Sequence, residues 1–163
     1  MAKDINVYRQ IREKLGISRE DASEMLHMSV DKLVRIETNR QKPTDSDVAL
    51  MAEVYRCPRL YNHFCSNECE IGAKTVAELN PKELSQIVLE ILASLNGIEK
   101  RKDRLVEIAV DGEISADEIR DLVSIRNQLG NISSTVDSLK LWVDEALIAK
   151  GIDPKTYDPR NKK

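Results

Sequence analysis

Two runs of apolar residues repeat with alternating steps of four and three, and that period constrains this chain more than any other feature. Leu84, Val88, Ile91, Leu95, Ile98, Lys102, Leu105 and Ala109 form the first run. Leu122, Ile125, Leu129, Ile132, Val136, Leu139, Val143 and Ala146 form the second. A stripe of this period belongs to long helices that bury one seam against another helix. Between the runs, Asp111-Gly112-Glu113-Ile114-Ser115 is a turn, and Ser115 with Glu118 makes a capping box for the returning helix. Two seams of similar length joined by a tight turn predict an antiparallel helical hairpin, with arms roughly 40 Å long at about 1.5 Å per residue. Only Lys102 interrupts the first seam, and Asp121 or Glu118 on the returning arm is placed to answer it.

The second stripe is wider than a hairpin needs, because Leu141 and Trp142 flank Val143. Leu122, Ile125, Leu129, Ile132, Val136, Leu139, Trp142 and Val143 are therefore expected to form a homodimer contact, two hairpins making a four-helix bundle. Packing of the same residues on the partner arm or on the N-terminal region is the other use of that stripe. The remaining composition agrees with an all-α chain. Charged residues make up 33% and aromatics 4%, and Gly and Pro are few, which argues against the frequent turns of a sandwich or barrel. No apolar run reaches the roughly 18 residues of a membrane span, and the start of the chain has no apolar leader, so a cytoplasmic protein without membrane contact is expected.

Ahead of the hairpin the pattern changes to short helices. Ile5, Tyr8, Ile11 and Leu15 share one helical face, which ends at Gly16. Ser18 caps a second helix with Ala22, Met25 and Leu26 inward, and Ser29 caps a third with Leu33 and Ile36 inward. Thr44 or Asp45 starts a fourth, bearing Val48, Met51, Val54 and Tyr55, and Pro58 suits the first turn of a fifth. Asn80-Pro81-Lys82-Glu83 reads as the start of the hairpin's first helix. The expected organisation is a five-helix domain at 1–72, a linker at 73–80, the hairpin at 81–150 and a flexible tail at 151–163.

Two short helices across a tight turn, the second capped and bearing basic side chains, are the parts of a helix-turn-helix. The stretch Gly16-Ile17-Ser18-Arg19-Glu20-Asp21-Ala22-Ser23-Glu24-Met25-Leu26-His27-Met28-Ser29, followed by Leu33, Arg35-Ile36-Glu37 and Pro43-Thr44, resembles the phage repressor/Cro type, or XRE-like, helix-turn-helix family. Over residues 8–55 the resemblance implies a transcriptional regulator that binds double-stranded DNA as a dimer. By position it puts Val30, Asp31 and Arg35 nearest the bases. Ser18, Arg19, Ser29, Lys32, Asn39, Arg40 and Lys42 fall nearest the phosphates. Arg12 and Glu37 occupy the places of a buried structural ion pair in the family. Arg35 has the chemistry to read guanine, Asp31 to accept from cytosine N4, and Val30 to touch a thymine methyl. His27 stands where the family usually has Gly and is expected to take a left-handed conformation.

Charge tempers this reading. The chain carries a net −3, and residues 1–44 hold nine Lys and Arg against seven Asp and Glu. A single such domain should bind phosphate weakly, which is a reason to expect a dimer. It is equally the reason to keep a rival open, a protein-interaction module on a helix-turn-helix fold that has lost DNA binding.

One stretch stands apart. Cys57, Cys65 and Cys69 are the chain's only cysteines, and His63 lies among them. Four such ligands suit a tetrahedral metal, but His63 and Cys65, two apart in a helix, point about 200° from each other, and no paired Cys-x2-Cys knuckle is present. A buried structural cluster with Leu60, Tyr61, Phe64 and Cys65 inward is the expected reading, with a bound metal or a redox-sensing thiol as its alternatives. The Asp111–Glu118 string fits only the second half of a calcium loop, since Glu107 and Ala109 stand where its front ligands would be. No cofactor is expected. Without a Gly-rich phosphate loop or a nucleophile beside a base, neither is an enzyme.

Overall fold

The computed structural model describes residues 6–99, 101–111 and 114–157, with the side chain of Asp111 excepted. Among these residues every regular element is helical, as an all-α chain requires. They form two compact units. The first comprises the chain up to Glu78 and again from Asp144, and the second runs Leu79–Val143.

The first unit is built from α1 (Val7–Lys14), α2 (Arg19–Met25), α3 (Val30–Glu37), α4 (Asp45–Val54), α5 (Arg59–Asn67) and the single turn α6 (Gly72–Thr75). Local chemistry sets the helix starts. The side chains of Asn6, Ser18, Ser29 and Thr44 each accept the backbone N–H three residues on, and Asp47 returns a bond to the N–H of Thr44. Tyr8, Ala22, Leu26, Leu33, Ile36, Val48, Met51 and Leu60 close one buried core between these helices.

Several expected inward residues face out. Leu15, Met25 and Tyr61 are 49%, 45% and 42% exposed. Leu26 and Leu60, also expected inward, are buried, each about 100° round the helix from its exposed neighbour Met25 or Tyr61. Ile5 lies outside the described residues.

Asn6 has a second role beyond capping. Its amide Nδ2 donates to Ile36 O at 2.9 Å and to Asn39 Oδ1 at 2.7 Å, fastening the start of α1 to the end of α3. Near the end of α5, Tyr8 Oη donates to Glu68 Oε1 at 2.7 Å. Gly72 lies so close to that helix that a Cβ there would sit 2.2 Å from Cys65 O.

The second unit contains α7 (Leu84–Glu99), α8 (Lys102–Asp111) and most of α9 (Ala116–Ala149), whose last residues belong to the first unit. Among the described residues, Arg101 is in a turn between α7 and α8, where one continuous helix was expected. The first arm also begins later than Asn80-Pro81 suggests: α7 opens at Leu84, with Ile87 N–H bonded to Glu83 O at 3.1 Å. The second arm starts as expected, Ser115 N–H donating to Glu118 Oε2 at 2.9 Å. Gly112 and Glu113 of the turn lie outside the described residues.

The seam differs in register. The less exposed side of the first arm is Ile87, Ile91, Ser94, Ile98, Arg101 and Ile108, whereas Leu84, Val88, Leu95, Leu105 and Ala109 face outward. The cause is α7 itself: Leu84, Ile87, Val88, Leu89, Ile91 and Leu92 spread apolar groups over more than half of its circumference, so more than one stripe satisfies the spacing. The charge expected to be answered across the arms shifts with it. Lys102 pairs within its own arm, to Glu99 at 3.1 Å, and Arg104 is the residue that meets Asp121, at 2.7 Å. Arg101 Nη1 also donates across, to Ser124 Oγ.

On α9, Ile125, Thr135 and Ser138 are buried, and both hydroxyls bond to the carbonyl four residues back. Leu122, Ile132, Val136, Leu139 and Trp142 are half-buried, while Leu129 and Val143 are exposed. The final turns rejoin the first unit through Arg59 Nη2 to Glu145 Oε1 at 2.9 Å. In the segment expected to be a flexible tail, Pro154–Tyr157 form a 3-10 turn, with Lys155 Nζ 2.7 Å from Glu53 Oε1.

Candidate nucleic-acid interface

The turn between α2 and α3 is short because His27 takes φ +48°, the left-handed conformation expected from its position. Met28 N–H bonds back to Ser23 O at 3.0 Å, and Ser29 immediately caps α3. Leu33, Ile36 and Glu37 are the buried side of α3, which leaves Val30, Asp31 and Arg35 exposed on the other. All three predicted base-reading residues therefore share one solvent-facing stripe.

Behind that stripe lies a buried charge network. Glu37 Oε1 accepts from Arg12 Nε at 2.5 Å and its Oε2 from Arg12 Nη2 at 2.9 Å, the paired geometry that suits a guanidinium and a carboxylate. Arg12 Nη1 donates to Ile17 O at 2.7 Å, which ties the pair to the loop before α2. The Glu37 side chain is fully buried, and burial alone would raise its pKa; hydrogen bonds and charge from Arg12 and Arg19 outweigh this and hold it below the usual carboxylate value. Arg12 is raised by the same bonds. Arg12 and Glu37 thus pair as the resemblance implies, and Arg19, expected at a phosphate, is a third member through Nε to Glu37 Oε2 at 2.8 Å.

Other predicted contacts are also held by neighbours. Lys32 Nζ lies 2.6 Å from Asp47 Oδ1. Burial would raise the pKa of Asp47, but its bonds from Lys32 and Thr44 keep it lowered. Arg35 Nη2 lies 2.9 Å from Asp31 Oδ2, one turn back on the same helix. Ser18 Oγ accepts from Asp21 N–H and donates to Asp21 Oδ2 at 2.7 Å, so α2 begins on its own carboxylates. Asn39, at φ +58°, ends α3 in a left-handed residue held by Asn6. Arg40 and Lys42 are exposed beyond it.

Asn6 and Asp47 are not among the residues expected from sequence, although each stands at a recognisable capping position. Their long-range partners, Ile36, Asn39 and Lys32, carry no local signal.

The cysteine stretch closes the domain. Cys57, Cys65 and Cys69 are free and half-buried, and burial pushes the Cys57 thiol up. Cys69 Sγ accepts from Gly72 N–H at 3.4 Å. His63 sets its ring edge-on to Tyr8, with centroids 6.0 Å apart, and its nitrogens face Glu68 and Glu78. Among the described residues, no three of His, Cys, Asp and Glu are grouped to hold a metal ion. In the same residues no helix is long and apolar enough to cross a membrane.

Comparison with known families matches residues 9–62 to the family described as Helix-turn-helix. Neither the curated proteins nor the solved structures provide a match to the chain. The matched segment spans α1 to α5, including the capped α3, the left-handed turn and the Arg12–Glu37 pair. The N-terminal part of this chain is a helix-turn-helix domain of the XRE-like family, whose fold is that of DNA-binding regulators.

Proposed function

We propose that the chain is a cytoplasmic, sequence-specific regulator of transcription that binds double-stranded DNA as a homodimer. The observation that carries this reading is the exposed stripe Val30, Asp31 and Arg35 on a capped α3, within the matched segment. A helix entering the major groove places its N-terminal residues against base edges; Val30 and Asp31 occupy the first turn of α3, and Arg35 lies one turn on. Arg40 and Lys42, exposed just after α3, are the basic groups assigned to phosphate, with Arg19, Lys32 and the capped start at Ser29 beside them. Asn39 shapes that loop and Ser18 closes on Asp21, so both serve the backbone first.

Homodimerisation is supported by uncovered apolar surface on the second unit. Leu84, Val88, Leu92 and Leu95 of α7 are 37–52% exposed and share one helical face, and an apolar stripe on a helix ordinarily packs against a partner. A second copy is the occupant such a reader needs, because pairing two half-sites offsets the weak electrostatics of one domain. Leu129 and Val143 of α9 stay exposed as that contact requires, and Ile125 leaves it, being buried within its own unit.

One observation favours the rival, an interaction module without DNA binding: Arg19, Lys32 and Arg35 each already hold a carboxylate. Selection from fragmented genomic DNA with the purified chain separates the two. The regulator enriches a short, near-palindromic site, and Arg35→Ala abolishes the enrichment. Absence of any enriched site at low salt selects the module.

A further inference from the structure

A carboxylate at the front of a DNA-reading helix, such as that of Asp31, repels the phosphates it approaches. Asp31 Oδ2 lies 2.9 Å from Arg35 Nη2, and both residues are solvent-facing, with Asp31 in the first turn and Arg35 one turn on. Side chains on a helix lean towards its N-terminus, so Arg35 reaches back along α3 to meet Asp31. The pair therefore brings a guanidinium from the last turn of α3 towards the end that enters a groove. The contact is a charge pairing between solvent-exposed groups. Arginine carries five N–H donors in a planar fork, which can address a base edge.

We infer that Asp31 is a specificity-determining positioning residue: it orients the Arg35 guanidinium for a guanine and does not itself read a base. The inference rests on the DNA-binding reading above. Holding a long, flexible side chain in place before DNA arrives removes part of the ordering cost of the contact. The carboxylate also opposes binding to phosphate alone, which lowers affinity for every sequence while leaving the guanine contact intact. The pre-ordering raises the ratio of specific to non-specific binding, the quantity that matters among competing sites, while the uniform loss leaves that ratio unchanged. Neither neighbouring cation competes for the carboxylate, since Lys32 is held by Asp47 and Arg19 by Glu37.

The test compares the full chain with Asp31→Asn, Arg35→Ala and the double variant, after circular dichroism confirms equal helix content. Each is measured on the selected site and on single-base variants of it. Arg35→Ala is expected to lose preference for guanine at one base pair. Asp31→Asn should weaken the preference at that same pair by about fivefold, the low end of what a bidentate base contact contributes, while binding random DNA more tightly. The double variant should discriminate no worse than Arg35→Ala.

If Asp31→Asn keeps the full guanine preference, the inference is wrong while DNA binding stands. Loss of preference at a different base pair also overturns it, because Asp31 would then read that base directly. If the unaltered chain selects no site, both the inference and the DNA-binding reading fall.

Discussion

Replacing Glu37 with Gln isolates the buried charge network behind the exposed face of α3. The substitution keeps shape and one acceptor oxygen but removes the charge that Arg12 meets at 2.5 and 2.9 Å. The Arg12 side chain is only 6% exposed, and the next carboxylate, Glu13, lies 3.8 Å away and is itself solvated. Breaking a buried pair by removing one partner costs about 3–5 kcal/mol, mostly because a charge is left buried and unmatched. Arg19 is one-third exposed and turns to water at little cost. In urea, where small domains lose about 1–3 kcal/mol per molar, the midpoint of the first unit should fall by roughly 2 M. Near-ultraviolet circular dichroism follows it, since Tyr8 and Tyr55 both lie in that core.

The pH dependence supplies a second check. The folded pKa of Glu37 lies below its ordinary 4.5, so the stabilisation is fully present above that value and is lost as pH falls through the lower folded value. The gap between the two proteins should therefore be widest near neutrality and close in acid. An equal midpoint at pH 7, or a gap that does not shrink on acidification, would refute the reasoning.

Three further outcomes follow from single sites. His27→Gly relieves a left-handed φ of +48° on an exposed residue and should stabilise the first unit by about 1 kcal/mol in urea titration. Gly72→Ala places a Cβ against the Cys65 carbonyl and should destabilise that unit by roughly 1–3 kcal/mol, with faster hydrogen exchange at the end of α5. Leu92→Glu charges a half-exposed position on α7 and should convert a dimer to a monomer in light scattering at unchanged helix content; a dimer that persists removes α7 from the interface.

Where a side chain caps a helix through a backbone group three positions away, the sequence alone disclosed the structure. The starts of α2, α3 and α4 at Ser18, Ser29 and Thr44 are of that kind, as is the cap at Ser115. The left-handed His27 and the Arg12–Glu37 pair both came from family likeness, the first because the family has Gly at that place, the second because nothing local joins residues 25 apart. The hairpin seam was harder. Periodicity shows that α7 buries something, but with apolar groups at Leu84, Ile87, Val88, Leu89 and Leu92 it cannot say which stripe meets α9. The ion pairs moved accordingly, from Lys102 to Arg104. For the cations expected at DNA, the carboxylate that each holds was not legible. Asp47 for Lys32 and Glu37 for Arg19 depend on how the helices pack.

The connectivity of α9 has one more consequence. Because the chain leaves the first unit after Glu78 and re-enters it at Asp144, the second unit is an insertion within the first, tethered at two points. A fragment ending at Glu78 would forfeit Glu145 and Lys155, the partners of Arg59 and Glu53, and would be a truncated domain with α5 stripped of one flank. A shorter chain that keeps the first unit whole must carry both of its segments, the one up to residue 78 and the one from residue 144.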